Sequence, residues 1–419
     1  MRVTVVGGGS TYTPELVDGI ARLRDSLDVE ELVLVDPAAE RLELVAGLAR
    51  RILAKQDHPA RVVATRDLDA GVTDAGVVLL QLRVGGQAAR IGDETWPLDC
   101  GCLGQETTGA GGLAKAMRTV PVVLDAAERV RRHAAPGAWL IDFTNPVGIV
   151  TRALLDEGHR AVGLCNVAIG LQRYFAQLLD VAPQAVQLDH VGLNHLTWER
   201  RVLVDGVDRL PGLLRDHGEE IAQRIGLPLD VLTRLGSVPS YYLRYYYQHD
   251  AVVEEQRGKP TRGQRVADIE HELLEMYADE SLAEKPALLA ERGGAFYSEA
   301  AIDLMASLLE DRGDVQAVNV RNGGTFPFLP PEAVVEVPGR VTANGATPIE
   351  LMPVEPLYAG LIAHASAYEE LALDAALRGG RDRVFKALLA HPLVGQADQA
   401  DQLTDRLLAA NRDFLAWTR

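Results

Sequence analysis

Only three cysteines occur in 419 residues, Cys100, Cys102 and Cys165. An odd, sparse set does not suggest a disulfide framework and points to a reducing compartment. No run of 18 apolar residues is present, which argues against a membrane-spanning helix. No basic segment leads into an apolar stretch at the N-terminus either, so a cytoplasmic protein is expected. Positive charge is scarce: 42 Lys and Arg face 59 Asp and Glu, and the resulting charge of −17 disfavours nucleic acid or an anionic membrane as a partner. Internal repeats, low-complexity segments and Pro/Ser-rich linkers are absent as well. What is plentiful is apolar surface, 47% of residues against 24% charged, the balance of a globular protein. The length exceeds one typical core, so two closely packed domains are expected, residues 1–166 and 167–419.

The opening MRVTVV reads as a strand that stops at Gly7-Gly8-Gly9-Ser10 before a helical pattern near Pro14. Further strands are expected at Glu31–Val35, Arg61–Thr65, Val77–Leu82, Ala138–Phe143 and Ala161–Leu164, with helices at Glu40–Ala54 and Val122–His133 between them. Strands alternating with helices predict a doubly wound parallel sheet of the Rossmann type, an α/β domain. Beyond it the pattern changes to a mixed α+β second domain. Extended chain over 185–204 leads to a hairpin near Asp205-Gly206; helical segments follow around 218–226 and 264–277; strand and turn signals fill 315–341; the remainder from Leu357 is helical.

Gly7, Gly8 and Gly9, followed by Ser10 and Thr11, sit where a pyrophosphate would approach the N-terminus of the first helix, whose unpaired N–H groups favour an anion. Tyr12 stands at the usual third glycine position. Asp36, ending the second strand, is suited to accept hydrogen bonds from an adenosine ribose and to repel the extra phosphate of NADP. Cys165 and His195 both fall at expected strand ends near the domain junction, where a thiolate and an imidazole could bind one divalent metal; His190 competes with His195 for that role. The run Ser240 to Tyr247 holds five tyrosines and is expected as an amphipathic interior helix. Arg83, Arg90 and Arg262 lie next to glycines that permit close backbone approach.

Nine ordered stretches resemble glycoside hydrolase family four over nearly the whole length: VVGGGSTYTPEL (5–16), RVGG with the AR and DE that follow (83–94), GQETTGAGG (104–112), TNPVGIV (144–150), GLCNVAIG (163–170), GLNHLTW (192–198), PSYYLRYYY (239–247), GGAFYSEAA (293–301) and HPLV (391–394). The resemblance implies a fold related to lactate and malate dehydrogenases and a homodimeric or homotetrameric hydrolase that uses NAD without net redox change. Oxidation at carbon 3 of the sugar acidifies the proton on carbon 2, a base removes it, the glycosidic oxygen leaves carbon 1, and water adds before the hydride returns. The same resemblance implies Cys165 and His195 as ligands of a divalent ion, usually manganese, and Tyr242 as the base, with Tyr241 the alternative. Glu106 matches a position that raises the tyrosine's basicity, and Arg90, Asn145 and Arg262 match substrate-contacting positions. Asn166, directly after Cys165, resembles the 6-phospho-β-glucosidases, although Ala168 stands where their motif has proline. The alternatives are a 6-phospho-α-glucosidase or another glycosidase of the family, a simple NAD-dependent dehydrogenase, and a non-catalytic sensor of NAD or a sugar phosphate.

Overall fold

The computed structural model describes residues 1–293 and 296–418; Gly294 and Ala295 of the GGAFYSEAA stretch lie outside them. Apolar runs bounded by turns form six parallel strands: β1 (Arg2–Val6), β2 (Glu31–Val35), β3 (Arg61–Thr65), β4 (Val77–Leu80), β5 (Trp139–Asp142) and β6 (Ala161–Gly163). Apart from β3 these strands are almost wholly buried, because helices cover both faces of the sheet, and hence they read as continuous apolar runs rather than as alternation. Their spatial order is β3-β2-β1-β4-β5-β6, the doubly wound order with its crevice outside the C-terminal strand ends.

The chain beyond residue 166 builds two things. A second, antiparallel sheet contains β7 (Val186–Leu193), β8 (Leu196–Val204), β9 (Val207–Asp208) and β10 (Val238–Pro239). Three later strands, β11 (Asp314–Arg321), β12 (Val334–Thr342) and β13 (Gly345–Pro348), then add antiparallel onto β6 and extend the first sheet to nine strands. The expected turn at Asp205-Gly206 joins β8 to β9. The helical tail forms Pro356–Arg378, Arg381–Leu389 and Ala397–Ala410, which bury Tyr368, Leu388 and Leu403 in one core with Leu113 and Met117.

Two local departures from expectation shape the site. The helix expected from Val122 begins at Gly109 and runs 25 residues to His133. Gly109, Gly111, Gly112 and Pro121 hide it in the sequence, since these residues disfavour helix, yet packing requires the small ones. A Cβ on Gly111 would lie 2.2 Å from the Gln105 carbonyl oxygen and one on Gly112 2.6 Å from the Thr107 carbonyl carbon, so the glycines let the Gln105–Thr107 segment lie directly against the helix. The tyrosine run is not one interior helix. It forms a 3-10 turn at Tyr241–Leu243, begun by Ser240, and a single helical turn at Arg244–Tyr247, leaving Tyr241 43% exposed.

Candidate active site

The C-terminal ends of β1, β2, β4 and β5 open into a cavity of about 670 Å³, a size that suits a cofactor. Gly7, Ser10 and Asp36 line it at one end and Arg83, Lys115 and Asn145 are among its other walls. Gly7 has φ +89°, and a Cβ there would meet the Gln81 carbonyl oxygen at 2.6 Å; a Cβ on Gly8 would meet Leu34 Cα at 2.8 Å. Only glycine lets the turn fold that tightly over β2. Asp36 fixes the turn as well as lining the cavity: its carboxylate accepts from Gly9 N at 3.1 Å and Ala38 N at 2.9 Å. Gly8, Gly9 and Thr11 shape the wall rather than face the space, and the Thr11 hydroxyl turns to Glu270 at 3.3 Å. Asn145 Oδ1 is buried without a hydrogen-bond partner, an acceptor that suits a bound donor. The tight glycine turn, the Asp36 carboxylate beside it and the size of the cavity fit a dinucleotide, which leaves the Asn145 acceptor for a second ligand.

Glu106 lies among three cations. Arg83 pairs with it, Lys115 Nζ is 2.6 Å away and Arg90 Nη2 3.2 Å away. Burial opposes ionisation of this carboxyl, but Arg83, Lys115 and Arg90 hold it well below the usual carboxylate range. Burial brings Lys115 down to about 8 despite the stabilising charge of Glu106. Arg83 and Lys115 face the large cavity, whereas Arg90 faces a smaller one of about 130 Å³ that Arg262 also lines. The cluster thus concentrates positive charge between the two spaces, in a chain whose overall charge is strongly negative.

The third group is built on chain ends. Cys165 directly precedes the helix Asn166–Leu178, which puts Asn166 in its first position. His195 sits in the turn between Leu193 and Leu196, which pair across β7 and β8, with φ +65°, a strained conformation for a side chain of this size and of the kind that gathers at functional sites. Its ring stacks on Tyr242 with centroids 3.7 Å apart, and Nδ1 lies 3.1 Å from the Thr107 hydroxyl. Burial lowers the imidazole to about 4, so it is neutral at neutral pH, the form that ligates metal. Burial raises the Cys165 thiol, as does Glu336, while the nearby Asn194 amide lowers it. Tyr242 is pushed well above the ordinary phenol value by burial, then by Tyr241, Tyr245 and Cys165; Arg90 is a cation within its electrostatic reach. Among the described residues no cluster of three or more His, Cys, Asp or Glu side chains could hold a metal. A thiol and a neutral imidazole flanking one phenol fit an ion with an open coordination sphere, and a divalent charge is what such buried acids need in order to ionise.

His190 is engaged elsewhere. Its ring nitrogens meet Glu199 at 2.7 Å and Glu336 at 3.2 Å, all fully or nearly fully buried, and Glu336 also accepts from Asn194 and Asn319. Burial would lower this imidazole, but the two carboxylates raise it to about 10. A base with a folded value above its ordinary 6.5 contributes its full stability below about pH 6.5 and loses it as pH climbs towards 10. Replacing His190 by alanine leaves two buried carboxylates facing a void, with an expected loss of about 3–5 kcal/mol. Urea denaturation at pH 7 measures it; a loss under about 1 kcal/mol would show that the charge is not buried as described.

The candidate residues thus separate into three places. Gly7, Ser10, Asp36 and Asn145 line the large cavity; Arg90 and Arg262 line the small one; Glu106, Cys165, His195 and Tyr242 lie among the clustered polar side chains, and Asn166 lines neither cavity. Sequence reasoning missed Lys115, Thr107, Arg41, Glu270 and Arg292. Burial would raise the Glu270 carboxyl, but Arg292 and Arg41 draw it down to about 2, and all three line the large cavity. A lone lysine inside the apolar GAGGLAKAM was the one available signal for Lys115; the other four carry none.

Comparisons with known families and structures cover most of the chain. The family 4 glycosyl hydrolase model matches residues 2–181, and the family 4 glycosyl hydrolase C-terminal domain model matches 190–394. A probable 6-phospho-beta-glucosidase of Bacillus subtilis is 37% identical, covering 99% of this chain and 97% of its own. The 6-phospho-beta glucosidase of Thermotoga maritima solved with NAD and glucose-6-phosphate superposes with a TM-score of 0.93 at 32% identity, 99% of each chain covered; a structure of that enzyme with manganese, NAD+ and glucose-6-phosphate gives 0.91 at 31%, again over 99% of each. Malate dehydrogenase from Salinibacter ruber shares the fold alone, with a TM-score of 0.54 at 17% identity over 91% of this chain and 99% of its own.

Proposed function

Since this chain belongs to family 4 of the glycosyl hydrolases, we propose that it hydrolyses 6-phospho-β-glucosides with NAD and a divalent metal ion, manganese in the first instance, as cofactors. The observation that carries the reading is the His195 ring stacked on Tyr242 with Cys165 as an electrostatic neighbour of the same phenol, at the edge of the Glu106 cluster. NAD would be held along Gly7, Ser10 and Asp36, and the metal by Cys165 and His195. When bound, NAD is the hydride acceptor and donor for carbon 3 of the sugar, and the metal is the Lewis acid for the oxygens on carbons 2 and 3.

The chain's own residues supply the rest. With carbon 3 at the ketone level, Tyr242 Oη takes the proton from carbon 2, the electron pair left there expels the glycosidic oxygen from carbon 1, that oxygen takes up a proton to leave as the alcohol, and a water molecule then adds across the carbon 1–carbon 2 double bond. Arg90, with Arg262 across the small cavity, meets the charge of the phosphorylated sugar, and Asn145 Oδ1 accepts from a hydroxyl. Glu106 holds Arg83, Arg90 and Lys115 together, and through Arg90 it keeps a cation near the Tyr242 phenolate. Burial of Cys165, Glu106 and His195, each under 10% exposed, keeps bulk water from the centre. Asn166 supports the β-phospho class on the resemblance already drawn. A reduced Cys165 supports a cytoplasmic setting. Self-association as a dimer or tetramer is expected on the family resemblance alone and is read directly by sedimentation.

The decisive assay pairs nitrophenyl α- and β-glucosides with and without a 6-phosphate, each with NAD, manganese and a thiol reductant. The phosphorylated β-glucoside is expected to turn over fastest without net NADH; accumulation of NADH would make the protein a dehydrogenase, and a preference for the α-anomer would move it to the other class. Asp36 further predicts that NADP binds at least about tenfold more weakly than NAD, a decade being about 1.4 kcal/mol. Fluorescence titration of both cofactors against wild type and Asp36→Ser tests it: the gap should close in the variant, and equal affinities in wild type would remove Asp36 as the selector.

A further inference from the structure

Arg90 and Arg262 are like charges on different elements, one in the helix Gly86–Thr95 and the other opening the helix Arg262–Ala278, and burial and the charge of Arg90 both disfavour the Arg262 cation. Something must hold them on one cavity. Glu94, itself 5% exposed, has one carboxylate oxygen 2.8 Å from Arg90 Nε and the other 2.6 Å from the Gly263 N–H. The second bond satisfies a donor of the first turn of the Arg262 helix, where an acid is favoured. Thr261 and Gln264 form a capping box on the same turn, so Glu94 is a separate tie between helices. Arg90 continues the chain to Glu106 at 3.2 Å.

Gly263 records how close the approach is. A Cβ there would stand 3.1 Å from Glu94 Oε2, 3.1 Å from Ile91 Cγ1 and 3.3 Å from Arg90 Cγ. A methyl group there would push Glu94, Ile91 and Arg90 back by a few tenths of an ångström. The cavity closed in this way also takes Lys259 and Thr261 into its wall.

We infer that Glu94 is a positioning residue for the 6-phosphate of the substrate, clamping Arg90 and Arg262 into one anion-binding pair through Arg90 Nε and the Gly263 N–H. The inference rests on the 6-phospho-glucosidase reading. Neutral glutamine cannot accept both bonds with two charged oxygens, so Glu94→Gln loosens the pair while leaving both arginines in place. Misplacement of such groups by about 1 Å costs up to about 100-fold.

The test compares wild type, Glu94→Gln, Gly263→Ala and Arg262→Ala on the nitrophenyl β-glucoside with and without the 6-phosphate. Wild type should prefer the phosphorylated sugar. Both Glu94→Gln and Gly263→Ala should raise its KM by about 10- to 100-fold, with a loss in kcat/KM at least about tenfold larger on the phosphorylated than on the unphosphorylated sugar, and with NAD affinity unchanged. Joining Glu94→Gln to Arg262→Ala should cost less than the product of the two single effects, since both act on one pair. Glucose 6-phosphate affinity, measured by calorimetry on Gly263→Ala, reads the same weakening should Glu94→Gln fold poorly. A KM unchanged in both variants, or equal losses on both sugars, overturns the clamp while the wild-type preference stands. No wild-type preference for the phosphate removes the substrate reading and the clamp with it.

Discussion

Cys165→Ser should lose at least about 100-fold in turnover, since even residues one shell beyond a metal ligand cost 10- to 100-fold when changed. The cysteine is buried among groups that include Asn194 and the Tyr242 phenol, and serine keeps the size while removing the thiol. A serine hydroxyl ionises far less readily than a thiol, so the site loses an anionic ligand. Manganese bound per chain, read by electron paramagnetic resonance, should fall in parallel, whereas NAD affinity should not, because Cys165 does not line the large cavity. Exhaustive chelation of wild type should reproduce the loss and added manganese reverse it. An oxidant should also inactivate wild type until a thiol reductant is added. Turnover that survives chelation, or a serine variant as active as wild type, would remove the metal from this centre.

The strands that position this centre were readable because parallel strands buried on both faces appear as apolar runs ending at turn residues. β1 to β6 and the turn Gly7-Gly8-Gly9 needed nothing more. The additions to the same sheet were not readable in that way: β11 runs antiparallel beside β6 although about 150 residues separate them, and no local pattern names a partner. The helix from Gly109 to His133 was obscured by glycines that exist for close packing against Gln105 and Thr107, a tertiary demand that overrides propensity. In the site, Cys165 and His195 stood out because rare residue types fell at strand ends. Glu270 and Arg292 did not, because an acid on a long helix reads as a solvated face until the fold buries it between Arg41 and Arg292. The same holds for Lys115, whose partner Glu106 is nine residues away at a spacing that signals nothing until the Gln105–Thr107 segment folds back on the helix.

Tyr242→Phe should lower turnover by about 10² to 10⁴-fold, the range that a positioned general base contributes. The motivation is positional: the ring lies flat on His195 at 3.7 Å beside Cys165, so its oxygen belongs to the same centre as the proposed metal. Phenylalanine retains the stack and deletes only the proton acceptor, so the metal content and NAD affinity of the variant should match wild type. A substrate deuterated at carbon 2 separates this role from a packing role. Wild type should show a primary isotope effect or exchange the label with solvent, because elimination removes that proton, whereas acid-catalysed cleavage of a glycoside leaves it in place. The variant should lose the exchange along with turnover. Tyr241, 43% exposed and stacked on the other side of Tyr242 at 4.4 Å, is the control: Tyr241→Phe should cost much less, and a larger loss there would transfer the base to Tyr241. Retention of the carbon 2 label through many turnovers of wild type, with no isotope effect on the first or the steady-state turnover, would rule out the elimination route and leave Tyr242 as a packing residue under His195.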